Sequence, residues 1–155
     1  MLRNTIVITT VLGACLLGVR GNAYAQDAEG SGTLTVVDTT YEFHVTWCDL
    51  GATQSPDGPT LSGTGTTEAG VGFTVTVDRT TVGNTTSHGV SVYMDDGSES
   101  LSYSGTKMGA GWMTSSGIVP DPPIQIEGPH VRATGGFENL NGEMVGEGTL
   151  EAECR

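Results

Sequence analysis

The stretch YEFHVTW, residues 41–47, alternates large apolar side chains with polar ones. This period of two, with aromatic and β-branched residues on one parity, is typical of a strand that buries one face. The same alternation recurs in residues 71–77, 90–93 and 150–154. No window has an apolar period near 3.6, and Gly or Pro interrupts nearly every longer stretch. The sequence therefore predicts an all-β fold.

Nine strands are predicted, separated by short turn motifs. They cover residues 32–38, 41–48, 60–66, 71–79, 89–94, 99–104, 124–127, 130–137 and 143–154. Further turn motifs occur at residues 57–59, 83–84 and 95–97, but the sharpest is Asn141-Gly142, which predicts a type I′ hairpin with positive φ at both residues. Regular short strands predict a two-sheet antiparallel sandwich of about 7–9 strands, with a flattened β-barrel as the alternative. Residues 106–123 are predicted to be the longest irregular segment.

The first 25 residues have the features of a secretory signal peptide. Arg3 precedes an uncharged stretch at residues 5–19, and residues 23–25, Ala-Tyr-Ala, form a small-x-small cleavage motif. The uncharged stretch is shorter than the about 20 residues that a transmembrane helix needs, so no integral membrane span is expected. The sequence thus predicts a protein that is secreted, periplasmic or displayed at the cell surface.

A second export motif overlaps the first. Residues 12–15, Leu-Gly-Ala-Cys, match a bacterial lipobox, in which Cys15 would carry a lipid anchor. The apolar run continues beyond Cys15 where a polar tether is usual, so the lipid-anchored form is the alternative to the soluble one. Residues 26–31 are expected to form a flexible lead, and residues 32–155 a single domain.

The chain is acidic because it has few bases. Six Lys and Arg residues stand against 18 Asp and Glu residues, a formal charge of −12. Arg3 and Arg20 leave with the signal peptide, so the mature charge becomes 4 − 18 = −14. This balance excludes a basic surface for nucleic acid and a polybasic contact with anionic lipid.

Two cysteines remain after the signal peptide, Cys48 and Cys154. An exported chain meets an oxidising compartment, where an even number of cysteines favours a disulfide. Trp47 shares its parity with Tyr41 and Phe43 and is predicted to lie in the core. Cys48 then has the opposite parity, so a bridge requires either a sheet edge or a bulge near Trp47.

One predicted strand, FHVTWC, runs into Cys48, and the last strand, GTLEAEC, closes on Cys154. The sequence around these cysteines resembles the mycobacterial 19-kDa lipoprotein antigen family. The resemblance covers the layout of most of residues 32–154 and is specific around the cysteines. It implies an exported, surface-exposed β domain without catalytic activity, and it brings no catalytic residues.

Motifs for known chemistries do not occur in the sequence. It has no Gly-x-Ser-x-Gly elbow, HExxH, CxxC, P-loop or GxGxxG motif, so no catalytic residue and no cofactor is predicted. His44, His88 and His130 are interpreted as solvent-facing histidines. Glu147, Glu151 and Glu153 share one parity in the last strand and are interpreted as a solvated face.

Two groups of residues are candidates for binding. Trp112 and Met113 lie outside any strand pattern, so they predict either an exposed ligand patch or a loop that folds back as a lid. Asp95, Asp96 and Glu99 place three carboxylates in five residues, which suits calcium, although Asp-Gly is also ordinary turn chemistry. No metal site is predicted beyond this weak candidate.

Together these features predict an exported, disulfide-stapled, non-enzymatic β domain that binds a protein or carbohydrate ligand. Two alternatives stay open. One is a small secreted hydrolase with an acidic cleft; with 18 acidic residues, carboxylate pairs are inevitable and do not by themselves indicate such a site. The other is a calcium-stabilised module.

Overall fold

The computed structural model describes residues 30–51 and 60–155. The predicted signal peptide, Cys15 and the predicted turn at residues 57–59 lie outside the described residues. Eleven strands lie within them: β1 (Gly30–Val36), β2 (Thr39–Cys48), β3 (Leu61–Thr66), β4 (Gly72–Val82), β5 (Thr85–Met94), β6 (Ser100–Met108), β7 (Gly111–Thr114), β8 (Gly117–Val119), β9 (Ile124–Glu127), β10 (His130–Asn139) and β11 (Met144–Cys154). No helix in these two ranges has the length and apolar character needed to cross a membrane.

Eight of these strands form a closed antiparallel barrel. Strands β1 to β6 follow one another as a meander, β11 pairs with β1, and β10 pairs with both β11 and β6. The all-β prediction is confirmed, and of the two predicted architectures the structure has the barrel. Strand β1 begins at Gly30, so it includes the last two residues that were expected to belong to the flexible lead.

Side chains fill the interior of the barrel. Most of the alternating apolar residues in the sequence point inward, and glycines make room for the rings: a Cβ at Gly32 or Gly63 would collide with Phe43. The core consists of Leu34, Val36, Tyr41, Phe43, Val45, Leu61, Phe73, Val75, Val77, Val90, Val92, Met94, Leu101, Tyr103, Ile124, Val131, Ala133, Phe137, Leu150 and Ala152. An eight-stranded barrel is narrow enough for side chains to fill it in this way.

Strands β7 to β9, residues 111–127, form a plug beside the barrel. Strand β7 extends the sheet from the end of β6, β8 pairs with β7, and β9 pairs with the start of β10. The prediction of an irregular segment at residues 106–123 is therefore wrong for most of its length. Strands β7 and β8, of four and three residues, lie in a Gly-rich segment and show no apolar alternation in the sequence.

A β-bulge brings Cys48 into position for the disulfide. Val45 pairs with Gly63 and Trp47 pairs with Ser62, so Thr46 is the extra residue. The bulge reverses the parity, and Cys48 packs against the core while Trp47 turns away from it. The predicted Cys48–Cys154 disulfide is confirmed, with the two Cα atoms 6.2 Å apart. The prediction that Trp47 lies in the core is wrong because of this bulge.

The hairpin at Asn141-Gly142 is present, but its turn differs from the predicted type. Of these two residues, only Gly142 has a positive φ, 75°. The Asn139 carboxamide oxygen accepts from the Asn141 and Glu143 amides at 2.9 and 3.1 Å, and Gly142 N–H donates to the Asn139 carbonyl. The Asn139 side chain thus stabilises a four-residue loop in place of a two-residue type I′ turn.

Candidate binding surface

A groove of about 960 Å³ crosses the outside of the barrel over β9, β10, β11, β1 and β2 and reaches the end of β3. We call it the outer groove. Its lining follows from strand parity, because residues between the core positions point outward. Ser31 and Thr33 are short, so β1 forms a low floor between the longer side chains of β2 and β11.

Strand register arranges the groove side chains in two rows. In the first row, Glu127, His130, Glu153, Ser31 and His44 are neighbours across five strands. The second row consists of Gln125, Arg132, Glu151, Thr33 and Glu42. The two rows place four carboxylates, one guanidinium and two imidazoles on a surface that is open to solvent.

Ion pairs hold two of the four carboxylates in place. Arg132 Nη2 lies 3.0 Å from Glu151 Oε1, and Arg155 Nε lies 3.2 Å from Glu153 Oε1. The hydrogen bond and charge of Arg155 lower the pKa of Glu153, and His130 lowers it further. Glu153 is therefore a carboxylate at neutral pH, and Glu42 and Glu127 add negative charge at opposite ends of the groove.

His88 is buried instead of solvent-facing, so its predicted position is wrong. It is 8% exposed and points inward from β5, on the same parity as Val90 and Val92. Its Nδ1 accepts a hydrogen bond from the Ile124 amide at 3.3 Å. Burial, and secondarily the charge of Arg79, lower its pKa to about 4. His88 therefore stays neutral at pH 7 and ties the plug to the barrel.

Trp112 and Met113 point to opposite sides of β7. The Trp112 ring is 7% exposed and lies 4.2 Å from the His88 ring, as the lid alternative expects. Met113 is 46% exposed, with Ile118 as its neighbour on β8. The ligand patch stays a prediction, and Met113 is the member of the pair that solvent reaches.

The three carboxylates of the predicted calcium loop lie in the β5–β6 turn. Asp96 Oδ1 accepts from the Ser98 amide at 2.9 Å, and Ser98 lowers the pKa of Asp96. Gly97 supplies the positive φ of the turn, 71°. In the described part of the chain, no group of three or more His, Cys, Asp or Glu side chains is arranged to hold a metal ion.

The predicted solvated face of β11 is one wall of the outer groove. Glu151 and Glu153 line it, whereas Glu147 lies farther along the same strand. His44 and His130 are exposed, as predicted, and Glu153 and Ser31 lie between them in the first row. The sequence did not indicate that the groove residues of β10 and β11 lie beside those of β1 and β2, because β1 and β11 are far apart in the sequence.

Comparison with protein-family models, with curated proteins and with solved structures gives no match to this chain. The resemblance to the 19-kDa lipoprotein antigen family stays a prediction.

Proposed function

We propose that the protein is an exported binding domain without catalytic activity, and that its outer groove binds a basic, extended segment of a partner protein. The observation that carries this proposal is the outer groove itself, with four carboxylates and one guanidinium across five strands. The barrel interior is filled, so a ligand has to bind outside it. The Cys48–Cys154 disulfide supports export, since such bonds persist in oxidising compartments.

The charge of the groove favours a cationic ligand. Arg132 is paired with Glu151 and Arg155 with Glu153, which leaves the charges of Glu42 and Glu127 in excess at opposite ends of the groove. Complementary charge accelerates association and selects among partners. The net charge of −12 extends this preference over the whole surface. An uncharged oligosaccharide is the competing ligand class, because it hydrogen-bonds to carboxylates without needing a positive charge.

The state of Glu153 supports binding over hydrolysis. A glycosidase needs one carboxyl group with a raised pKa to protonate the leaving group. Arg155 instead lowers the pKa of Glu153, so this side chain stays charged. Glu153 is thus held in its charged form by Arg155, and Glu42 and Glu127 provide the negative charge that attracts a cation.

The proposal is tested by titration with hexalysine, monitored by calorimetry and by amide chemical shifts. We expect shifts at Ser31, His44 and His130, and weaker binding at high salt. The double variant Glu42→Gln/Glu127→Gln should weaken binding by about fivefold or more, since one exposed ion pair contributes up to about 1 kcal/mol.

The matched control removes the same charge elsewhere. Asp38 and Glu68 lie exposed in turns outside the groove, so Asp38→Asn/Glu68→Gln should change the affinity by less than about twofold. Equal weakening by both double variants would mean that hexalysine responds to net charge alone, which would overturn the groove assignment. Tighter binding of chitohexaose than of hexalysine would assign the groove to carbohydrate.

A further inference from the structure

The barrel has a second concavity where β6 and β10 separate. These strands pair at only two positions, Leu101 with Asn139 and Ser102 with Glu138. From Gly105 onward β6 pairs with β7, and from Ala133 toward its start β10 pairs with β9. The two strands therefore diverge and leave a wedge-shaped opening in the wall of the barrel. We call this opening between β6 and β10 the seam.

Two consecutive glycines make the seam wide enough to hold other groups. A Cβ at Gly135 would collide with the Tyr103 ring, and a Cβ at Gly136 would collide with Ser116. The Ser115 hydroxyl donates to the Gly136 carbonyl at 3.4 Å, so the β7–β8 turn lies across the seam. These contacts fix the plug against β10.

A cleft of about 250 Å³ remains in the seam. Tyr103 lies at its inner end, Pro120 and Pro122 form an apolar wall, and Asp121, Glu147 and Arg132 lie at its rim. Pockets for drug-sized ligands measure roughly 300–1,000 Å³, so this seam cleft suits a small headgroup or a single side chain.

The charges at the rim are predominantly negative. Asp121 and Glu147 are exposed carboxylates, and the Arg132 guanidinium is already paired with Glu151 in the outer groove. Burial raises the pKa of Tyr103, and the Glu147 carboxylate raises it further. The Glu147 charge thus acts on the tyrosine at the inner end of the cleft.

We propose that the seam cleft binds a small organic cation, an ammonium or methylated ammonium group. The apolar proline wall suits the methyl groups of such a cation, and the carboxylates of Asp121 and Glu147 supply the negative field that its charge needs. The prolines also make the wall rigid, which reduces the entropy lost on binding.

This site is distinct from the proposed function of the outer groove. The two concavities share only Gln125 and Arg132, which lie at their junction. A basic ligand in the groove would pass the mouth of the cleft, so one methylated or unmodified lysine side chain can enter it. A free cation needs only the cleft.

The test is titration of the full chain with choline, monitored by chemical shifts and calorimetry. Choline is expected to shift the resonances of Tyr103 and Val119. Asp121→Asn/Glu147→Gln should weaken binding by about tenfold, which corresponds to about 1.4 kcal/mol. Both side chains are exposed, and the variant should keep the fold. Asp38→Asn/Glu68→Gln should change binding by less than about twofold.

Two results would overturn the proposal. The first is equal binding of 3,3-dimethylbutanol, the uncharged isostere of choline, because the site would then recognise only shape and apolar surface. The second is a choline-induced shift confined to residues outside the seam. The groove variant Glu42→Gln/Glu127→Gln should bind choline like the wild type, so failure of the groove proposal and failure of the cleft proposal give different results.

Discussion

The barrel closes in two places, and the two closures are built differently. Between β1 and β11, seven consecutive residue pairs run from Gly30 with Cys154 to Val36 with Gly148. The Cys48–Cys154 disulfide reinforces this closure by joining β2 to β11 past the start of β1. Between β6 and β10, two residue pairs close the barrel, and side chains fill the remaining opening between the two strands.

The difference shows that backbone pairing and side-chain packing can replace each other in closing a barrel. The well-paired side gives a continuous sheet with polar side chains in register, which forms the outer groove. The poorly paired side leaves a wedge, which Tyr103, the plug and the seam cleft occupy. The free energy of local opening differs within one domain for such reasons. The outer groove lies on the well-paired closure, and the seam cleft lies on the poorly paired one.

The largest loss of stability is expected when the tyrosine ring that fills part of the seam is removed. Tyr103→Ala removes a 4% exposed ring that packs beside Phe137, with ring centroids 5.8 Å apart. Deletion of a buried aromatic ring costs about 3–5 kcal/mol, and urea denaturation measures this loss. Tyr93→Ala is the matched control, because Tyr93 is 51% exposed and should lose less than about 1 kcal/mol. Equal losses would mean that the seam does not depend on packing.

A somewhat smaller loss of stability is expected when the disulfide that reinforces the β1–β11 closure is removed. The disulfide joins residues 106 positions apart, and its removal by Cys48→Ser/Cys154→Ser should cost about 2–4 kcal/mol. Urea denaturation of the variant and of the oxidised wild type gives the difference. A loss below about 1 kcal/mol would show that the seven β1–β11 pairs close this side without help.

Acid should weaken the attachment of the plug. The unfolded chain protonates His88 near pH 6.5, whereas the folded chain does so near pH 4. Stability is therefore greatest above pH 6.5 and falls as the pH drops toward 4, by about 2–3 kcal/mol from this residue. Protonation also removes the Nδ1 acceptor of the Ile124 amide and places positive charge beside Arg79.

The variant His88→Gln isolates this contribution. Glutamine keeps an oxygen acceptor for the Ile124 amide but does not titrate. Between pH 7 and pH 4, its free energy of unfolding should fall less than that of the wild type. His44→Gln changes an exposed histidine and should retain the wild-type slope. If the wild type and His88→Gln have the same slope, His88 does not make the fold acid-sensitive.

The smallest effect is expected at the Arg132–Glu151 pair, whose side chains are 65% and 59% exposed. Exposed ion pairs contribute about 0–1 kcal/mol, so Glu151→Gln should shift the melting temperature only slightly, and less at high salt. A loss above about 2 kcal/mol would indicate that the groove also holds the sheet together.

Alternation in four stretches, together with the turn motifs between strands, placed nine of the eleven strands. Inward positions such as Phe73, Val75 and Val77 follow from the alternation. The burial of His88 could have been predicted too, since it shares its parity with Val90 and Val92. Its polar ring favoured a solvent-facing position, but a hydrogen bond from the Ile124 amide compensates for its burial.

Other features depend on contacts that no local pattern reports. Barrel closure rests on residues 101–102 meeting residues 138–139, and neither pair has a distinctive sequence. The bulge at Thr46 reverses the parity of Trp47 and Cys48, although the need for such a bulge followed from the disulfide. The outer groove combines strands from the two ends of the domain, and the seam cleft combines β6, β10 and β11 with the plug, so their residues could be predicted as polar but not as neighbours.

The end strands of the sheet also bear on how the protein behaves at high concentration. Unpaired strand edges invite other chains to add on, which leads to aggregation. Here the terminal strands of the sheet order are β8 and β9, with three and four residues. Pro120, Pro122 and Pro123 lie between them and offer no backbone N–H to an incoming strand. The two short edge strands thus leave few backbone groups for an intermolecular sheet, and the prolines of the seam cleft separate one edge strand from the other along the chain.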